Sequence, residues 1–404
     1  MRPRINVIIP TRERADTLVH ALRTVVQQDY DDVQIIVSDN FSQDQTRQVV
    51  ESFGDSRIRY LNTGRRISMS HNWEFALSHV THGWVTFLGD DDGLLPGGLE
   101  RIGALIGQTD CKAITTRWCH YYWPGTGGNE NRLSVPLGRK VERRNGQAWL
   151  GKLLRGSASY MELPWLYTGG FVEISLVNSA RVNNGSFFLS ITPDIYSAIA
   201  ISSVAGDYLM VDEPVSVAGV SHHSNGASFF GCENPAASNQ YLSENTIPFH
   251  AMLGDIPVKS LSLLTYECYL QAAHLRRKTP QDDIESQLAL AIRVAPSTDI
   301  EQTRADCMRI ASINSISEQT INRQLRLAKR LPLKPERYLL TTINTHIYAA
   351  SNVADAAILA HTLRTLHHTV FTFRYLLSTI ARETRHRIER ARNFVLETVL
   401  DWLS

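Results

Sequence analysis

Three consecutive carboxylates, Asp90, Asp91 and Asp92, stand in the run Phe87-Leu88-Gly89-Asp90-Asp91-Asp92-Gly93. Adjacent carboxylates repel one another unless a cation or hydrogen-bond donors offset their charge. Hard oxygen ligands of this kind suit Mg²⁺ or Mn²⁺, and such an ion also bridges a diphosphate. The structural alternative is an acidic turn that caps the following helix, because Asp is a good N-cap. A second carboxylate, Asp39, follows another apolar run in Ile36-Val37-Ser38-Asp39-Asn40-Phe41-Ser42. It stands where a nucleotide's base or ribose would lie and is able to accept two hydrogen bonds. Asp44 reads as a helix-start residue. The segment Gly219-Val220-Ser221-His222-His223-Ser224-Asn225-Gly226 is a polar, small-residue loop after an apolar run, of the kind that folds over phosphates. Adjacent histidines on such a loop are equally compatible with simple solvation.

These residues follow a regular series of elements. Asn6-Val7-Ile8-Ile9, Gln34 to Ser38, Ile58 to Leu61 and Trp84 to Leu88 read as short buried strands. Helical patterns over Ala15 to Gln28, Asp44 to Phe53 and Ser70 to His79 separate them. Strands alternating with helices indicate a parallel, doubly wound sheet. Ligands of such sheets bind beyond the carboxyl ends of the strands, which is where Pro10-Thr11, Asp39 and Asp90–Asp92 fall. Beyond Asp110 the pattern is less regular, with further strands expected near Cys111–Thr116 and Tyr208–Val211 and a turn over Pro124–Asn129. From about Ile256 the texture becomes helical, so a domain boundary is expected between Asn234 and Asp255.

The composition is that of an ordinary globular protein of 404 residues, 43% hydrophobic and 20% charged. A net charge of +1 argues against a protein built mainly to bind nucleic acid. The five cysteines are scattered without CxxC spacing and fit reduced thiols better than a disulfide framework. No signal-peptide core or long apolar run is evident, so a cytoplasmic protein is expected, with any membrane contact peripheral, at the membrane's inner face. The phosphate loop GxxxxGK[ST], the dinucleotide turn GxGxxG, HExxH and GxSxG are all missing, which speaks against a kinase, dehydrogenase, zinc protease or esterase.

Pro10-Thr11, Ser38-Asp39-Asn40-x-Ser42-x-Asp44-x-Thr46, Ser70-His71-Asn72-Trp73-Glu74-Phe75-Ala76-Leu77 and the acidic triplet together resemble family 2 glycosyltransferases of the GT-A fold. The resemblance covers about residues 3–105 and implies an inverting transfer of a sugar from a nucleoside diphosphate donor, expected to be a UDP-sugar. The acceptor it suggests is a hydroxyl of a glycan or lipid-linked glycan. It implies that Asp39 contacts the nucleobase, that Asp91 binds a divalent Mn²⁺ or Mg²⁺, and that Asp90 lies near the ribose and the metal, with Asp92 as a further possible ligand. Pro10, Thr11, Arg12, Arg14 and Asn72 are placed with the nucleotide sugar. His222 or His223 would reach the metal or diphosphate, as a late histidine does in such enzymes. Gly89 occupies the first position of the usual Asp-x-Asp-Asp motif, a departure from the family pattern. Arg12 and Glu13 stand where Tyr and Asn are common.

The family also supplies a general base about a hundred residues beyond the metal motif, and Thr192-Pro193-Asp194 matches it. Pro193 opens a helix and Asp194 lies in its first turn, where the alternative role is to complement the helix dipole. Asp207, Asp212 and Glu213 are the other candidates. Two further readings stay open: an inactive nucleotide-sugar-binding or scaffold subunit, and a nucleotidyltransferase. The expected layout is therefore a GT-A α/β domain over 1–240 and an all-helical domain over 250–404. Within the latter, Leu363, Leu366, Val370, Phe373, Leu377 and Ile380 recur at three- and four-residue steps beside an Arg-rich flank. Such a stripe packs on a core, forms a homodimer seam or docks on anionic lipid.

Overall fold

The computed structural model describes residues 2–182, 185–223, 241–254, 258, 260–276, 284–327 and 339–368. Its N-terminal region alternates as the apolar pattern requires: β1 (Ile5–Thr11), α1 (Ala15–Val26), β2 (Val33–Asp39), α2 (Thr46–Ser52), β3 (Ile58–Asn62), α3 (Met69–Leu77), β4 (Trp84–Phe87), β5 (Gly93–Leu94) and α4 (Gly98–Ile106). There follow β6 (Ala113–Thr116), β7 (Cys119–Tyr122), β8 (Arg132–Pro136), β9 (Val141–Asn145), α5 (Gly146–Leu154), β10 (Gly170–Glu173) and α6 (Ile174–Ser179). The series continues through α7 (Pro193–Val204), β11 (Asp207–Val211), β12 (Ser216–Val220), α8 (Leu261–Gln271), α9 (Ile284–Val294), α10 (Ile300–Ile313), α11 (Glu318–Leu327) and β13 (Leu340–Asn344).

Eight strands form the main sheet in the order β3-β2-β1-β4-β10-β6-β11-β9. The first four run parallel, while β10 is antiparallel to both of its neighbours, which makes the sheet mixed. Side chains of a strand alternate between faces, and in β1 Ile8 enters one apolar cluster while Val7 and Ile9 enter the other. Burial on both faces explains why β1, β2 and β4 read as mainly apolar runs, whereas β3 at the sheet edge is only partly buried. Strand order reverses at β1, between β2 and β4, so the crevice for a ligand opens at the carboxyl ends of β1 and β4. A second sheet, β13-β8-β7-β12-β5, stands beside this crevice.

The chain forms two compact units, residues 1–358 and residues 359–404. Across the boundary expected between Asn234 and Asp255, α8 packs against α7. Ten of the twelve residues of α7 are buried, so it is apolar all round and must be covered on every side. Leu263, Leu264 and Cys268 of α8 are fully buried in the same cluster as Ile195, Tyr196 and Ile199 of α7. The region beyond 250 is mostly helical as expected, yet it also lends β13 to the second sheet. Of the apolar stripe expected from Leu363 to Ile380, residues up to 368 are described and helical; Val370, Phe373, Leu377 and Ile380 lie outside the described residues. Among the described residues no helix is long and apolar enough to cross a membrane.

Candidate active site

The crevice holds a cavity of about 590 Å³. Its acidic wall is the turn between β4 and β5, and each of the three carboxylates there has its own surroundings. Asp90 accepts from Thr11 Oγ1 at 2.8 Å and from Arg14 Nη1 at 2.9 Å, so the carboxyl end of β1 is tied to that of β4. Burial pushes the Asp90 carboxyl up, Arg14 pulls it down, and the neighbouring Asp91 charge raises it again. Asp91 Oδ2 accepts from Ser221 Oγ at 2.6 Å, and Trp123 Nε1 donates to the Asp91 carbonyl at 3.1 Å. Asp92 turns inward: its oxygens take the backbone N–H groups of Gly89 at 3.0 Å and Gly219 at 2.7 Å, and the Thr168 hydroxyl. Burial and the Asp91 charge push Asp92 up to about 7. Asp92 therefore acts as a buried latch that shapes the turn and joins it to β12.

The same packing accounts for Gly89 at the start of the motif. A Cβ there would meet Asp92 Oδ2 at 2.8 Å and the Tyr167 hydroxyl at 2.9 Å, so a carboxylate has no room. Gly219 is equally constrained, since its Cβ would fall on the Asp91 carbonyl oxygen and 2.7 Å from Trp123 Nε1. Gly219→Ala is accordingly expected to cost about 3 kcal/mol through overpacking. A thermal melt unchanged from wild type would show that β12 is not pressed against the acidic turn.

Around the mouth, Arg14 also donates to the His223 carbonyl, and Arg12 pairs with Glu244 at 2.6 Å. Arg66 reaches the same Glu244 at 3.0 Å. Glu13 and Phe41 both hold positive φ, 53° and 60°, and Glu13 N donates to Ser42 Oγ at 2.8 Å, which braces the β1 and β2 loops together. Asp44 bonds Ala15 N at 3.0 Å and Thr46 N at 3.0 Å, satisfying the first N–H groups of α1 and α2 as a helix-start residue should. Asn72 exchanges hydrogen bonds with Ser38 and lines the cavity together with Pro10, Thr11 and Arg12.

The structure does not gather every expected residue in one place. Asp39 is buried, with Oδ1 on Ser42 N at 2.9 Å and Oδ2 on Tyr60 Oη at 2.5 Å and Asn62 Nδ2 at 3.1 Å. The parallel register sets Asp39 opposite Asn62, and its neighbour Asn40 lines the cavity instead. His222 and His223 group with Asp16, their donor atoms lying within 4.8 Å of one another, and of the two His223 also lines the cavity. The segment meets the acidic turn through the Ser221 hydroxyl on Asp91 and the Gly219 N–H on Asp92, while Arg14 holds the His223 carbonyl. Ser224, Asn225 and Gly226 lie outside the described residues.

Asp194 occupies the first turn of α7, one residue after Pro193, and lines the same cavity as Asp90–Asp92. Burial pushes its carboxyl up to about 6, against the pull of the Ile195 N–H. The other base candidates lie elsewhere: Asp207 pairs with Arg143 at 2.8 Å and Glu213 with Arg101 at 2.8 Å, and Asp212 lies 3.5 Å from Arg117. Support for Asp194 comes from the helical region, because the buried Glu267 of α8 accepts from Ser190 just before α7 begins.

The mixed α/β sheet with an acidic turn at its switch point is the arrangement expected of a GT-A-type fold. Residues 6–161 match Glycosyl transferase family 2. A GalNAc(5)-diNAcBac-PP-undecaprenol beta-1,3-glucosyltransferase from Campylobacter jejuni is 39% identical over 103 residues, 25% of this chain and 33% of that protein. A validoxylamine A glucosyltransferase from Streptomyces hygroscopicus is 38% identical over 184 residues, 41% of this chain and 42% of the relative. The matched stretch thus spans about a third of the first of these relatives. Among solved structures, S. aureus TarS 1–349 in complex with UDP superposes with a TM-score of 0.46 at 14% identity, over 84% of this chain and 96% of that one.

Proposed function

We propose that this protein transfers a sugar from a nucleoside diphosphate donor to a hydroxyl of a glycan or lipid-linked glycan, with inversion at the anomeric carbon. The observation that carries this reading is the shared cavity of Asp91 and Asp194, an acidic turn and a carboxylate raised to about 6 facing one crevice. Asp194 takes the proton of the acceptor hydroxyl, whose oxygen forms the new bond to the anomeric carbon. The bond from that carbon to the diphosphate oxygen breaks, and the diphosphate leaves with the electron pair. Thr11, Arg14 and Asp90 hold the carboxyl ends of β1 and β4 together around the donor. Asp92 keeps the turn in shape from behind.

The donor set fits a hard divalent cation such as Mg²⁺ or Mn²⁺. It consists of buried oxygens, with Arg14 and hydrogen-bond donors offsetting only part of the charge of three adjacent acids. Asp91, oriented by Ser221, would hold the ion with Asp90 alongside; the histidines group with Asp16 and are second in line. When bound, such an ion stabilises the negative charge of the leaving diphosphate. Incubation with a panel of nucleotide sugars tests the reading by the release of nucleoside diphosphate. Release with one donor, stimulated by a sugar acceptor, is the expected result. Binding without release would favour an inactive nucleotide-sugar-binding subunit, and release of inorganic pyrophosphate from a nucleoside triphosphate and a sugar phosphate would favour a nucleotidyltransferase.

A further inference from the structure

The wall of the cavity that includes Asp194 is aromatic and has no part in holding a nucleotide in the reading above. Trp118 and Trp165 lie with ring centroids 5.1 Å apart, Tyr160 stands 6.0 Å from Trp165, and Tyr167 stands 5.6 Å from it. All four line the cavity, as does His120. These rings come from β7 and its approach, the short helical turn at Tyr160–Glu162 and the segment leading to β10. Asp194 sits among them: burial first, and then the Asp194 charge, raise the hydroxyl of Tyr160.

His120 supplies a polar point on this wall. Its Nε2 lies 3.1 Å from the Trp118 indole N–H, which can only donate. The Nε2 atom is therefore the acceptor, and the imidazole proton resides on Nδ1. Burial lowers the His120 pKa, so the ring stays neutral near pH 7. Nδ1 has no hydrogen-bond partner among the described residues, and the half-buried ring lines the cavity.

We infer that Trp118, Tyr160 and Trp165 form the acceptor platform, on which an uncharged pyranose ring stacks by its apolar face while His120 Nδ1–H donates to a ring substituent. The inference rests on the transfer reading and specifies its acceptor class. Stacking on indole and phenol faces matches a sugar's C–H face, and the N–H donor fixes its rotation so that one hydroxyl meets Asp194. An anionic sugar is disfavoured, because none of Trp118, His120, Tyr160 and Trp165 is a cation, the cavity's Arg12, Arg14 and Arg66 are paired with Glu244 or Asp90, and Asp194 and the acidic turn share the cavity.

The test compares His120→Phe and Tyr160→Leu with wild type, using methyl glycosides of neutral hexoses and of uronic acids as acceptors. Each variant is expected to raise the KM for the neutral glycoside about 3–10-fold, the worth of one hydrogen bond or ring contact. The Kd for the nucleoside diphosphate should stay within twofold of wild type, a split that a general loss of structure would not give. Wild type should also favour neutral over uronic acid acceptors, and neutral glycosides alone should change its tryptophan fluorescence. Unchanged acceptor KM in both variants, with donor still bound, would overturn the platform and leave the transfer reading standing. If one variant does not fold, the other and the wild-type fluorescence titration decide; no fluorescence response together with no preference for neutral sugars overturns it. Failure of wild type to bind any nucleotide sugar would instead overturn the transfer reading, and the platform with it.

Discussion

Asp91→Asn should reduce sugar transfer by about 10²–10³-fold while the protein still folds. The substitution keeps the shape of the side chain, and the amide is still able to meet Ser221, which now lies 2.6 Å from Asp91 Oδ2. It removes the negative charge most suited to hold a divalent ion against the diphosphate. Such an ion supplies several kilocalories of stabilisation to a departing phosphoryl oxygen, and each 1.36 kcal/mol is a factor of ten in rate. Chelation of wild type by EDTA should produce a loss of similar size, reversed by Mn²⁺ or Mg²⁺. The thermal melt separates this from collapse of the turn, whose shape depends on Asp92 and its bonds to Gly89 and Gly219. Full turnover of wild type in EDTA would remove the ion from the mechanism, and near-normal transfer by the variant would remove Asp91.

The two carboxylates differ in how much of their setting could be read from the sequence. The acidic turn was legible because β1, β2 and β4 are short apolar runs buried on both faces, so their ends, and the residues just beyond, fall at predictable points. Asp194 was legible through Pro193, whose fixed φ marks a helix start. The partners were not. Ser221 and Gly219 reach Asp91 and Asp92 across more than a hundred residues, and Thr168 reaches Asp92 from the loop before β10. No local periodicity encodes such contacts. The sealed state of Asp39 depends on the pairing of β2 with β3, which sets Asn62 beside it. The packing of α8 on α7 was not legible for a related reason: ten of the twelve residues of α7 are buried, and a helix without a polar face gives no sign in the sequence of which segment will cover it. The aromatic wall lies on short strands and irregular segments, where the pattern is weakest.

Asp194→Asn should lower transfer by roughly 10²–10⁴-fold, the usual worth of a general base, with donor binding retained. The pH dependence gives the sharper test. With its carboxyl raised to about 6 by burial, Asp194 is protonated and inactive as a base in more acid solution. Wild-type kcat/KM should therefore rise through about pH 6 and level off above it, while the residual rate of the variant should lose that rise. Stability should move the other way. The folded-state value lies above the ordinary 3.8, so the folded protein binds the proton more tightly than the unfolded chain. That contribution favours folding at low pH and is lost as pH rises from about 4 through about 6. At pH 7 wild type thus carries the cost of a buried charge that asparagine does not, and the variant should melt at the same or a higher temperature. A variant that is slower, flat in pH and at least as stable would mark Asp194 as a base held in an unfavourable setting for the sake of the reaction. A variant that transfers normally and melts lower would make it a helix-dipole partner only, because the role of its charge would then be to stabilise the N-terminus of α7.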